Sequence, residues 1–288
     1  MTRFLPLLRR ARFVIWSALL TVALTLPAQT RAGEYTFGVV PQFEARRLMS
    51  IWSPILDELE RRTGHRFRMI GSPRIPDFED DFMHGLFDFA YMNPYHALIA
   101  NELQGYRPIV RDGARDLFGV LVVREDSPYQ NVSELAGQTI AFPAPNALGA
   151  ALLMRADLDR QFALDYRASY VATHSSAYLN VVFGEAAAAG GVMSTLEALS
   201  PAARAQLRIL YETTRMPPHP VTAHPRVPED VITAVQAAFV EMAATQSGAA
   251  LLAQVPIRSA VEAREHDYDT LRELRLSHYY IKPASGQR

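Results

Sequence analysis

The sequence predicts an α/β protein built as two lobes, and three observations carry that prediction. From about residue 35 onward, short apolar runs alternate with helical periods, separated by polar, Pro or Gly breaks, the pattern of βαβ units around a largely parallel sheet. The pattern restarts after a strongly β-branched run at 118–123, and a helical tail follows residue 229. The length of 288 residues suits two lobes of roughly 100–150 residues better than one core.

The elements follow in order. A strand over 35–40 ends at Pro41. The helix after it, 44–62, repeats Leu48, Ile51, Trp52, Ile55, Leu56 and Leu59 at spacings of three and four, one apolar face. Gly64 stops it. A strand at 67–71, a short helix at 75–87 and a strand at 89–92 come next. Asn93–Pro94 then offers an N-cap followed by a proline at the first helical position, so a helix should run to about 104. After the strand at 118–123 come a short helix at 132–135, a strand at 139–142 and a helix at 147–162. A strand at 166–172, a helix at 175–183 and small-residue or apolar strands at 187–192 and 207–211 complete the restart. The Pro217–Pro218–His219–Pro220 turn precedes a run at 221–224 that could rejoin the first sheet. Helices near 229–245, 248–254 and 268–274 close the chain. This reading gives lobe one as 33–118 plus 215–288 and lobe two as 119–214, with a hinge where the chain crosses near Phe118 and Thr214.

Residues 1–32 are a different material. Arg3, Arg9, Arg10 and Arg12 precede an apolar run over 13–26, and the small residues Ala28 and Ala32 follow, the layout of a signal peptide. The run is about 14 residues, short of the ~20 a membrane span needs. The residues after Arg9–Arg10 fit a twin-arginine signal poorly and favour the general secretory route. An exported, periplasmic protein is expected.

Composition excludes several function classes. With 29 basic and 30 acidic residues the net charge is −1, which gives no global field for nucleic acid or a membrane surface. Cysteine is absent, so there is no disulfide framework, thiolate metal site, thiol nucleophile or lipobox cysteine. No GxSxG, HExxH, GxGxxG or P-loop pattern occurs. Glu265, His266 and Asp267 adjoin, but no second ligand pair has usable spacing, and Asp80–Asp81 reads as a solvated helix face. No cofactor and no metal are expected.

In open α/β sheets ligands bind beyond the carboxyl ends of the strands. Here four strand-to-helix junctions stand out: 41–44, 93–95, 143–147 and 173–176. Each helix start offers unpaired N–H groups and a partial positive charge. Several aimed at one cleft would hold an oxyanion with little formal charge. Thr173–His174–Ser175–Ser176 is the richest junction; its side chains either donate to an anion or merely cap a helix beside a solvated histidine. Asn93 and Tyr95 are either ligand groups or a plain cap with an aromatic staple. Asn146 either faces a ligand or only tolerates an unusual backbone angle in a Pro-rich turn.

Taken in order, FGVVPQFEARRLMSIWSPILDELERRTG (37–64), FDFAYMNPYHAL (87–98), GYRPIVRDG (105–113), GVLVVREDSPYQNVSELAGQTIAFPAPNALGA (119–150), YVATHSSAYLNVVFGEAAAAGGV (170–192) and LRILYETTRMPPHPVTAHPRVP (207–228) make the chain resemble the PhnD-like phosphate/phosphite/phosphonate-binding proteins of ABC transporters. The resemblance implies a two-lobed type II periplasmic-binding-protein fold, two Rossmann-like lobes joined by crossing strands. It implies capture of a small oxyanion in the interlobe cleft for an ABC permease, without catalysis. The alternative is a ligand sensor for a membrane histidine kinase. By family position the ligand-facing residues would be Phe43, Tyr91, Asn93, Tyr95, Asn146, Ala147, His174, Ser175 and Ser176. Two departures matter. Phosphonate-binding members carry a Ser/Thr-rich loop where this chain has Pro143–Ala144–Pro145–Asn146–Ala147–Leu148. They also place an acidic residue after the small-residue strand, where this chain reads Met193–Ser194. The resemblance therefore points away from an aminoalkyl phosphonate and leaves phosphate, phosphite and simple phosphonates open.

Overall fold

The fold was taken from a computed structural model, which describes residues 32–283. The signal peptide expected over 1–32 lies, but for its last residue, outside the described residues. In chain order the strands are β1 (Glu34–Val39), β2 (Arg66–Gly71), β3 (Phe89–Tyr91), β4 (Arg107–Asp112), β5 (Gly119–Arg124), β6 (Thr139–Phe142), β7 (Arg167–Tyr170), β8 (Ala188–Val192), β9 (Leu207–Glu212), β10 (Val221–Ala223) and β11 (Ala260–Glu262). Among the described residues, the α-helices of five residues or more are α1 (Ala45–Thr63), α2 (Ile75–Met83), α3 (Pro94–Gln104), α4 (Leu153–Arg160), α5 (His174–Val182), α6 (Met193–Glu197), α7 (Glu229–Ala244) and α8 (Gln246–Leu252).

The strands form two sheets, of order β11-β4-β10-β3-β1-β2 and β7-β6-β8-β5-β9. Both are mixed, not largely parallel as the alternating pattern suggests. β1 pairs in parallel with β2 and β3, and β6 with β7 and β8. β10 runs antiparallel to β3 and β4, β11 to β4, and β5 to β8 and β9. The cause is the route of the chain: β5 and β10 are each entered from the other sheet, without the helical crossover that keeps successive strands of one sheet parallel. The sequence reading omitted β4 and β11, which supply the far edge of the first sheet.

Local chemistry sets the helix ends. The predicted apolar face of α1 is buried, each such side chain being worth about 1.5–3 kcal/mol when fully buried. Gly64, at φ 72°, closes the helix in the left-handed conformation that glycine adopts without a Cβ penalty. The helix expected over 75–87 ends at Met83, where Gly85 turns the chain at φ 69°. The helix expected over 147–162 opens as a π-helical segment, Leu148–Leu152, and continues as α4. Asp81, expected on a solvated face, is buried and accepts a hydrogen bond from Ser72 at 2.7 Å.

The chain leaves the first sheet after Asp112 and returns to it at Val221. The two crossing segments lie side by side: Leu117 and Met216 exchange both main-chain hydrogen bonds, at 2.8 and 2.9 Å. Gly119 N donates to Thr213 Oγ1 at 2.8 Å, and Thr213 N to Gly119 O at 3.0 Å. Buried apolar residues from both sheets run into one contiguous cluster. Among the described residues no helix is long and apolar enough to cross a membrane.

The start of the 148–152 segment lies directly on β5. A Cβ placed on Gly119 would stand 2.0 Å from the carbonyl oxygen of Gly149, which is main chain and cannot swing aside. Gly119→Ala is therefore expected to destabilise the protein by about 2 kcal/mol or more, an overpacking cost. Urea unfolding of the purified variant measures it; wild-type stability would contradict the close approach.

Candidate functional site

A small cavity lies where the two sheets meet, lined by Val40, Gln42, Ile75, Asn93, Ala147, Leu148, Gly149, Ala150, His174, Val192 and His219. About 10 Å³ of it is open to the centre of a water molecule, roughly what one water needs. Each of the four junctions picked out in the sequence contributes to it, through Gln42, Asn93, Ala147 and His174. A fifth helix start joins them, Ile75 at the head of α2. No Asp, Glu, Lys or Arg side chain lines the cavity.

The elements hold these groups in place. Asn93 caps α3, its Oδ1 accepting from His96 N at 2.8 Å, and its Nδ2 donates across to the Asn146 carbonyl at 3.3 Å. Thr173 caps α5 by accepting from Ser176 N at 3.1 Å, which sets His174 as the first helical residue, buried at the cavity wall. Leu148, Gly149 and Ala150 open their segment, where a helix has no carbonyl partners for its first N–H groups.

Behind His174 lies a short polar chain. The Tyr178 hydroxyl donates to Val192 O at 2.9 Å, and Thr195 Oγ1 stands 2.8 Å from the same carbonyl and 3.3 Å from His174 Nδ1. A neutral ring that accepts from Thr195 at Nδ1 carries its proton on Nε2, where it can donate. On the other sheet's side His219 stacks on Tyr91, with centroids 5.4 Å apart, and its Nε2 lies 3.4 Å from Gln42 Nε2.

The candidate residues divide. Asn93, Ala147 and His174 line the cavity. Asn146 sits beside it, but its amide is committed elsewhere: Nδ2 donates to Glu79 Oε1 at 2.9 Å and to Ile281 O at 2.6 Å, and Oδ1 accepts from Ile281 N at 3.0 Å. Tyr91 stands behind His219 and against Trp52 rather than at the wall. Tyr95 packs on Tyr280. Ser176 shares a hydrogen bond with Thr173 at 2.8 Å as part of the cap, and neither it nor Ser175 reaches the wall. Phe43 lies outside, lining an outer hollow under the Arg47 guanidinium, 4.0 Å from its ring. Gln42 and His219 were missed by the sequence reading. The only signal for either was position, Gln42 beside a flagged junction and His219 inside the Pro-rich turn at the return crossing.

Residues 37–268 match the family described as ABC transporter, phosphonate, periplasmic substrate-binding protein. Among curated proteins no significant match is found. Solved structures share the fold. A binding-protein component of an ABC phosphonate transporter from Pseudomonas aeruginosa superposes with TM-score 0.77 at 16% identity, over 85% of this chain and 86% of that one. PhnD1 from Prochlorococcus marinus, in complex with methylphosphonate, gives TM-score 0.77 at 14% identity, over 86% and 99%. A Xanthomonas citri protein bound to chloride gives 0.71 at 16% identity, over 86% and 99%. The fold is thus the type II periplasmic-binding-protein fold. The chain belongs to the phosphonate-binding family of periplasmic substrate-binding proteins of ABC transporters, which are solute-binding components and not enzymes. The kinase-linked alternative gains no support from these findings.

Burial lowers the pKa of His174 to about 4 and that of His219 to about 3, where the charges of His96 and His174 add to the effect. Both imidazoles are therefore neutral at pH 7. The unfolded chain takes up protons near pH 6.5, whereas the folded chain refuses them until near pH 4, so stability is lost as pH falls through that window. Between pH 7 and pH 5 the pair should cost about 2–4 kcal/mol together. Urea unfolding at the two pH values measures the drop, and the H174Q/H219Q variant should show a smaller one. An equal drop in wild type and variant would contradict the assignment.

Proposed function

We propose that the protein captures a small phosphorus oxyanion, a simple phosphonate, phosphite or phosphate, in the cavity between its two sheets and delivers it to a membrane permease. The observation that carries this reading is the convergence of helix starts on one small cavity that has no charged side chain in its wall. Main-chain N–H groups and their aligned dipoles suit a tetrahedral anion, with the Asn93 amide and the His174 and His219 rings as side-chain partners. The methylphosphonate and chloride held by proteins of the same fold support an anion.

In this reading lobe one is 33–118 plus 215–288, lobe two is 119–214, and the paired crossing at Leu117 and Met216 is the hinge. The open form meets the anion on one lobe, and donors of the other then bridge it, shifting the population to the closed form. The cramped cavity supports a closed state. Residues 1–32 direct export to the periplasm. A net charge of −1 favours no nucleic-acid partner.

A thermal-shift panel of methylphosphonate, phosphite, phosphate, sulfate and arsenate tests the reading. At a ligand concentration a hundredfold above Kd, stabilisation should reach ~2.7 kcal/mol. His174→Ala and Asn93→Ala should each weaken binding by about 1–3 kcal/mol while the protein stays folded. No shift with any of these anions would overturn the proposal, and wild-type affinity in both variants would overturn the placement of the site.

A further inference from the structure

Two larger hollows, of about 380 and 440 Å³, flank the inner cavity. They share walls with it: His219 and Val192 line both the cavity and the first hollow, and Gln42 both the cavity and the second. The hollows also share Arg115, Ser194, Glu197 and Pro256 with each other. Their charge differs sharply from that of the inner cavity. Arg47, Arg115, Arg215 and Arg258 line them, against two carboxylates, Asp116 and Glu197.

Glu197 is already engaged, 3.7 Å from Arg115. Arg215 leans over Phe118, 4.2 Å from the ring centroid, with Glu212 at 3.6 Å. Arg47 and Arg258 form no ion pair with any described carboxylate, although both face the same hollow. Directly after β8, Met193 and Ser194 line the first hollow and add no carboxylate to it. The surroundings of the inner cavity therefore carry surplus positive charge and room for several more heavy atoms.

We propose that these hollows form a second subsite, which receives an anionic tail on the ligand, and that the preferred ligands are phosphonates carrying a second anionic group such as a carboxylate. This rests on the phosphonate head occupying the inner cavity. Guanidinium forks suit a carboxylate bidentately, and the surplus of positive charge, concentrated in the second hollow where Arg47, Arg115 and Arg258 face Glu197 alone, raises the local concentration of an anionic group. The same charge disfavours an ammonium tail.

Calorimetric titration of the whole protein with methylphosphonate, phosphonoacetate, 3-phosphonopropionate and 2-aminoethylphosphonate tests this. The expected result is that one of the carboxylate-tailed compounds binds about tenfold tighter than methylphosphonate, while the amine-tailed one binds no tighter. In the R47Q/R258Q variant, with its fold checked by circular dichroism, the ratio of carboxylate-tailed to methylphosphonate affinity should fall toward one. Methylphosphonate binding with no carboxylate preference, an amine preference, or a ratio unchanged in the variant would overturn the subsite and leave the head-group site standing. Binding of none of the four would overturn the head-group reading, and the subsite with it.

Discussion

An anion taken out of water needs its charge answered within a few ångströms, and a buried countercharge is itself expensive to desolvate. In the proposed site this chain answers with dipoles. Ile75, Asn93, Ala147 and His174 stand at the heads of four helical segments and Gln42 two residues before the N-cap of a fifth, and all five residues reach one cavity. Such a site is possible only if five connections end at the same place. That condition explains the rest of the architecture: two sheets must present their strand ends to each other, and the chain must pass between them twice. The paired crossing at Leu117 and Met216 and the glycine contact of β5 with the 148–152 segment are how the sequence meets it.

The groups at the cavity are held by partners that do not themselves reach it. Asn93 spends one side of its amide capping α3 and the other reaching the Asn146 carbonyl. Asn146 is in turn fixed by Glu79 and Ile281. His174 leans on Thr195, and His219 on Tyr91 and Gln42. Each donor of the proposed site is thus oriented without a ligand, which leaves little ordering to be done on binding. Neutral histidines fit the same scheme, since a charged imidazole in the cavity would cost more in desolvation than a neutral donor. Formal charge is kept outside, on the arginines of the outer hollows.

Much of this was legible in the sequence, for local reasons. The helix starts are written in capping residues, as at Asn93–Pro94 and Thr173, and the α1 face in its three-four spacing. What escaped depends on non-local geometry. β4 mixes Pro108 and two arginines with its apolar residues, and β11 is three residues long, so neither shows a strand period. The antiparallel pairs follow from the crossing of the chain between sheets, which no periodicity encodes. Asn146 was singled out, but whether an amide faces a ligand or Glu79 is decided by a segment 67 residues away. Ser175 and Ser176 follow His174 by one and two residues, about 100° and 200° round the helix, and neither lines the cavity. His219 and Gln42 lie in connections, where only the fold decides which side chains converge.

The central claim is that the anion is held at the converging helix starts by uncharged donors. A crystal structure of the protein with methylphosphonate tests it most directly. Phosphonate oxygens are expected at about 2.7–3.2 Å from N–H groups at the head of the 148–152 segment and from Asn93 and His174, with no arginine in contact with the phosphonate head. A phosphonate head seated on Arg47, Arg115 or Arg258 in the outer hollows, with the inner cavity unengaged, would contradict it.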